Sequence, residues 1–194
     1  MVSLLNRRDA VAALLQARGD RLVVTGLGSP SYDVHAQGDR VENYYLWGAM
    51  GSACLVGLGL AQAQPDRQVL VVTGDGEQLM AFGGLATIAV AKPRNLVVVV
   101  IDNGHFGETG MQTSHTGFGI ALDKVAAAAG FAETDAVDDL EGVARLRERL
   151  DQATAGPRLF VIKVKAENLP RSLPPRDAVL VKNRFRAHLG LGAA

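Results

Sequence analysis

Asp75 stands between Gly74 and Gly76 at the end of the apolar run 68–73, and Asn103 closes the apolar run 95–102 in the same manner. A carboxylate, an amide oxygen and neighbouring backbone carbonyls are hard oxygen donors. That set suits magnesium shared with phosphate groups. Gly76 lets the backbone approach an anion, and a helix beginning just after it would direct free amide donors at that anion. Together the two strand ends would anchor a diphosphate through a divalent cation. A Gly-Asp-Gly run by itself is more often an ordinary turn, because both residue types tolerate the backbone angles turns need. The reading beyond a turn depends on Asn103 reaching the same place as Asp75.

The surrounding pattern brings them together. Strand-like runs at 21–26, 68–74, 95–102 and 158–166 alternate with helix-like segments at 6–17, 77–91, 123–130 and 138–153. A short FAET segment at 131–134 and a further glycine-rich helix lie between these elements, the glycine-rich helix being read within 43–65 from Gly48 onward. Asp138 with Glu141 resembles a capping box. Runs such as VVVVI are apolar on both faces, the mark of a parallel strand covered by helices on both sides. The expected fold class is α/β: a doubly wound, mostly parallel sheet with helices on both faces. It reads as one domain over 1–194, with a proline-rich C-terminal tail at 167–194 and a short terminal helix. In such sheets ligands sit beyond the carboxyl ends of the strands. Three strand ends here are rich in glycine and polar groups: TGLGSPSYD, TGDGEQ and DNGHFGETGMQTSHTGFG. No G-x-G-x-x-G opens a helix after the first strand, and the P-loop lysine signature is missing.

Composition excludes other classes. Twenty basic and twenty acidic side chains cancel, so bulk charge gives no reason to expect nucleic acid. The one cysteine, Cys54, cannot form an internal disulfide or hold an iron–sulfur cluster, and is expected as a small buried hydrophobe. Residues 43–65 carry no charge, but their unbroken apolar part is shorter than the roughly 20 residues a membrane span requires. The N-terminus becomes charged within a few residues and lacks a secretory pattern, so a cytoplasmic location is expected.

On these motifs the chain resembles the thiamine diphosphate enzymes related to pyruvate decarboxylase. GDG, a helix and strand, then N-G-x-[FY]-G is similar to that family's cofactor motif. Within the family it looks most like the small β subunits of sulfopyruvate and phosphonopyruvate decarboxylases. GLGSPS, WGAMGSA, GDGEQLMAFGGLATI, NGHFGETGMQ and the basic KNRF at 182–185 carry that resemblance. It implies magnesium held by Asp75, the Asn103 side chain and the His105 carbonyl. Gly28 and Ser29 would contact the diphosphate, and Gly74, Gly76, Glu77, Phe106 and Gly107 would complete the cofactor site. The Gly48 carbonyl would accept from the aminopyrimidine, and Met50 would wedge between the cofactor's two rings. Glu77 departs from the Ser or Ala common after GDG. It is expected either to turn away from the diphosphate or to pair with a basic group. Asp102 replaces the usual first Asn of a pair and is not an expected ligand.

His115, in a loop that could close over substrate, is expected to line the site. Glu108 and Thr109 lie close enough along the chain to face the reacting carbon. The His105 imidazole and Trp47 are expected to pack, with His35, His188, Arg171 and Arg176 at the surface. The resemblance also implies what is missing: relatives activate the aminopyrimidine with a glutamate on a separate pyrimidine-binding domain. Glu42 lies on the wrong side of the motifs to take that role. The favoured reading is therefore half an active site. The chain would be the diphosphate-binding subunit of a decarboxylase acting on a small 2-oxo acid, with the second half on a partner subunit in a hetero-oligomer. The alternatives are a β subunit of another thiamine diphosphate enzyme (a 2-oxo acid oxidoreductase or an acetolactate synthase-like enzyme) or a non-catalytic diphosphate-binding module.

Overall fold

The computed structural model describes residues 4–192. In chain order the elements are α1 (Arg7–Leu15), β1 (Leu22–Thr25), α2 (Ser29–His35), β2 (Asn43–Tyr45), α3 (Ala53–Ala63), β3 (Val69–Gly74), α4 (Asp75–Met80), α5 (Gly84–Ala91) and β4 (Leu96–Asp102). There follow β5 (His105–Phe106), β6 (Gln112–Thr113), α6 (Leu122–Ala129), β7 (Glu133–Val137), α7 (Leu140–Arg149), β8 (Arg158–Lys163) and α8 (Ala178–His188).

Six strands form one sheet in the order β2-β1-β3-β4-β8-β7, and every neighbouring pair in it is parallel. Successive residues of a strand point to opposite faces, so each central strand feeds two cores. On one face Val69, Val71, Val98 and Val100 pack with Cys54 and Leu58 of α3, Leu85 and Ile88 of α5, and Leu122 of α6. On the other, Leu70, Val72, Val97 and Val99 meet Val11 and Leu14 of α1, Val34 of α2 and Leu146 of α7. The doubly wound sheet and the buried Cys54 are as the sequence led us to expect.

Strand order decides where the site falls. From β1 the chain moves outward to β2, then returns to the other side of β1 as β3. The loops leaving β1 and β3 therefore diverge to opposite faces, and a crevice opens between them at the carboxyl ends.

Three local expectations are corrected. Residues 43–52 are not helical: Asn43–Tyr45 pair with β1, and Gly48 (φ 77°), Ala49 (φ 49°) and Gly51 (φ 95°) then occupy the left-handed region. Only Ala53–Ala63 is helix. The single helix expected over 77–91 is two, α4 and α5, broken by a turn at Ala81-Phe82-Gly83. The α7 cap is Asp139, whose side chain accepts from the Gly142 amide, so the Asp138–Glu141 box does not form. Helix α2 starts directly on the GLGSPS loop, with Pro30 in its first turn, where a proline's missing N–H costs nothing. No helix among the described residues is long and apolar enough to cross a membrane.

Candidate active site

Asp75 is the first residue of α4 and only 2 % exposed. The Ser114 hydroxyl donates to its Oδ2 at 2.5 Å. Thr116 Oγ1 lies 2.9 Å from the same oxygen and 2.8 Å from Asp102 Oδ1, and the two hydroxyls are themselves 2.9 Å apart. Each hydroxyl has one proton to give, so Thr116 cannot donate to Asp75 and Asp102 at once. Asp102 has further donors in Lys163 and the Gly104 amide. Asp75 does not, and its Oδ1 has no donor from another residue among those described. Burial pushes the Asp75 carboxyl above the usual range, the Ser114 hydrogen bond opposes this, and the Asp102 charge adds to it. A buried, under-donated carboxylate of this kind fits a hard cation.

Asn103 lies at the matching end of β4. Its Oδ1 accepts from the His105 amide at 2.9 Å, which leaves one lone pair. The His105 Nδ1 is 2.9 Å from the Asn103 carbonyl. A carbonyl only accepts, so Nδ1 carries the proton and the imidazole ties its own loop, as expected of a packing ring. Among the described residues no three His, Cys, Asp or Glu side chains converge on a metal position. The donors here are one carboxylate, one amide and backbone oxygen, which suits magnesium and not zinc.

These groups line a cleft of about 300 Å³ that also takes in Ser29 and Pro30 beyond β1, Met50, Gly74, Gly76 and the loop 105–109. The three polar strand ends singled out in the sequence therefore do converge. Gly76 is required by contact: a Cβ there would lie 2.7 Å from the Phe106 ring and 3.8 Å from the Met50 methyl. Gly28 has φ 81°, and a Cβ on it would press on the Glu108 side chain at 3.0 Å. Gly48, also at positive φ, does not line the cleft within this chain.

The orientation of Glu77 is settled. It turns inward, 3 % exposed, where Oε2 accepts from Thr73 Oγ1 at 3.0 Å and Oε1 from the Gly51 amide at 3.2 Å. Burial raises its pKa and the Thr73 bond partly offsets that. A Cβ on Gly26 would lie 1.6 Å from Oε2, so Gly26 makes room for this carboxylate. Glu77 pairs with no base among the described residues and ties the loop that carries Met50 to the end of β3.

The structure does not bring His115 to the cleft. It sits exposed on the turn after β6, with its carbonyl accepting from Phe118 and Ile120. Its neighbours Ser114 and Thr116 point inward instead and are the residues the sequence reading missed, together with Arg7 and Lys163. The visible signal was the alternation Ser-His-Thr, which sends the first and third side chains to one side. Glu108 pairs with Arg171 at 2.8 Å. Trp47 donates to the Pro175 carbonyl at 2.7 Å, and His35 Nδ1 lies 2.8 Å from Ser172 Oγ, so both tether the proline-rich tail.

A doubly wound sheet with hard oxygen donors gathered in its switch-point crevice is the architecture of a ligand-binding α/β protein. The chain belongs to the family described as thiamine pyrophosphate enzyme, C-terminal TPP binding domain, which matches residues 28–164. It is 35 % identical over 184 residues to the sulfopyruvate decarboxylase subunit beta of Methanothermobacter thermautotrophicus, covering 94 % of each chain. To the subunit of that name from Methanocaldococcus jannaschii it is 38 % identical over 136 residues, 70 % of this chain and 71 % of the other. It is also 39 % identical over 170 residues to a phosphonopyruvate decarboxylase of Streptomyces viridochromogenes, covering 87 % of this chain and 42 % of that one. In fold it is similar to a benzoylformate decarboxylase from Polynucleobacter necessarius, with TM-score 0.70 and 20 % identity over 86 % of this chain and 34 % of that one.

Proposed function

We propose that the chain is the diphosphate-binding subunit of a thiamine diphosphate-dependent 2-oxo acid decarboxylase. The observation that carries this is Asp75, buried and short of donors, beside Asn103 in the switch-point cleft. Asp75, the Asn103 side chain and the His105 carbonyl would hold magnesium. Gly28, Ser29, Gly74, Gly76 and Gly107 would let backbone and hydroxyl donors reach the diphosphate. When bound, thiamine diphosphate supplies an electron sink for the carbanion left by loss of carbon dioxide.

The carboxylates lining the cleft are Asp75, Glu77 and Glu108. Asp75 would be occupied by magnesium, Glu77 is tied to Thr73 and Gly51, and Glu108 is paired with Arg171. None of them is free to act on the far end of the cofactor. Glu42, at the foot of β2, faces Arg18 and Arg40. The activating glutamate is therefore assigned to a pyrimidine-binding domain on a partner subunit. Beside the cleft Met50, Leu55, Met80 and Phe82 are each at least 39 % exposed. A Cβ on Gly51 would touch Met80, and one on Gly84 would touch Leu55, so these side chains belong to one surface. An apolar surface at the mouth of an incomplete site suits a partner subunit.

Met50 belongs to both the cleft and that surface. Its flexible, bulky side chain would brace the bound cofactor. Met50→Gly is expected to lower turnover of the assembled enzyme about tenfold, roughly the worth of one buried hydrophobic side chain, with a smaller effect on cofactor affinity. Parallel turnover and calorimetric measurements check this; equal losses in both would place Met50 in binding alone.

The substrate is assigned as a short 2-oxo acid with a second acidic group, the sulfonate or phosphonate class named in the relatives. The experiment is carbon dioxide release from a panel of 2-oxo acids by this chain combined with its partner subunit. Preference for sulfopyruvate or phosphonopyruvate is expected. Preference for branched or aromatic 2-oxo acids would overturn the assignment.

A further inference from the structure

Arg7 opens α1, and the sequence reading gave it no role. It is 4 % exposed, and a buried arginine is ordinarily a paired one. Asn6 caps the helix by accepting from the Arg8 and Asp9 amides. The parallel bridge between Leu5 and Val164, just beyond β8, fixes the helix start at the carboxyl edge of the sheet. Arg7 there lines the same cleft as Ser29, Asp75 and Asn103. It also lines an adjoining cavity of about 310 Å³ with Tyr32, Asn168 and Arg171.

Its hydrogen bonds leave capacity unused. Nε donates to Asp33 Oδ2 at 2.7 Å and Nη1 to the Glu167 carbonyl at 2.8 Å, while Nη2 has no acceptor among the described residues. Asp33 also accepts from Arg8 Nε at 3.1 Å. Two guanidinium groups therefore share one carboxylate, and the cluster keeps a net positive charge. Arg8 turns its Nη2 to the Pro170 carbonyl on the exposed side and does not line the cleft, which leaves Arg7 as the arginine facing it.

We propose that Arg7 is a diphosphate-binding residue, its free guanidinium edge donating to a phosphate held between Ser29 and the Asp75–Asn103 magnesium position. The proposal rests on the cofactor reading above. With Asp75 anionic, a divalent cation cannot neutralise both that carboxylate and a diphosphate, so a further buried cation is needed. The planar fork of arginine suits phosphate oxygens. Asp33 and the Glu167 carbonyl hold two of the three nitrogens, so the third is oriented before ligand arrives.

The test is calorimetric titration of the full chain with magnesium and inorganic diphosphate, and separately with magnesium and thiamine diphosphate. Arg7→Gln is expected to weaken both about ten- to hundredfold, the worth of a hydrogen bond to a charged group. Arg8→Gln, which removes the other arginine on Asp33 but no group that lines the cleft, is expected to change affinity less than about threefold, a small electrostatic effect. Because Arg7→Gln strands part of the buried Asp33, the double variant Arg7→Gln/Asp33→Asn is measured as well. It is expected to recover thermal stability and to keep the binding loss. Undiminished binding by a folded Arg7 variant, or an equal loss in Arg8→Gln, overturns the role of Arg7 alone. A wild-type chain that binds neither ligand overturns the cofactor reading and this proposal with it.

Discussion

Asp75→Ala is expected to weaken magnesium-dependent thiamine diphosphate binding by at least about a hundredfold while leaving the chain folded. Groups that merely support a metal ligand are typically worth 10- to 100-fold in affinity, so loss of the only anionic protein ligand proposed for the magnesium should reach or exceed the upper figure. The fold should survive because Asp75 is costly to bury: desolvation is the largest influence on its carboxyl. Without it, Ser114 and Thr116 still bond each other, and Thr116 gains undivided contact with Asp102. The expected stability change is within about 2 kcal/mol. Calorimetric titration with cofactor and magnesium, alongside thermal unfolding, checks both halves. Near-wild-type affinity would remove Asp75 from the metal position, and global unfolding would make it structural.

The second large effect is dependence on a partner. Alone, this chain is expected to decarboxylate 2-oxo acids about 10²–10⁴ times more slowly than the assembled enzyme, the usual worth of a positioned general acid–base. Glu77 and Glu108, the remaining carboxylates of the cleft, are tied elsewhere and cannot substitute. Carbon dioxide release by this chain with and without its partner subunit measures the ratio. Equal turnover by the lone chain would require an activating carboxylate within it and would refute the half-site reading.

The parts of this site legible in the sequence are those written in short-range pattern. Short, doubly apolar, β-branched runs such as 97–101 read as covered parallel strands, and Gly74-Asp75-Gly76 and Asn103-Gly104 lie directly at their ends. Ser114 and Thr116 reach Asp75 from 39 and 41 residues away, a closure that no local pattern encodes. Arg7 looks like any charged residue in the first turn of an amphipathic helix. Its burial follows from the Leu5–Val164 bridge, which is tertiary. The stretch 43–52 misled because an apolar, glycine-containing run is compatible with a buried helix. Edge pairing of Tyr44 with Val24 and left-handed backbone at Gly48 and Gly51 decided otherwise. His115 misled by residue type: histidine invites a chemical role, but the alternation in its loop turns Ser114 and Thr116 inward and leaves it outside.

The central claim is that this chain grips one end of thiamine diphosphate, the diphosphate, through magnesium. The most direct measurement compares three ligands on the full wild-type chain without its partner: thiamine diphosphate, inorganic diphosphate and unphosphorylated thiamine, each with and without magnesium. The expected result is magnesium-dependent binding of the first two with affinities within about tenfold of each other, or 1.4 kcal/mol, and no measurable binding of thiamine. Binding of thiamine as tightly as thiamine diphosphate, or binding of either diphosphate unaffected by magnesium, would contradict it.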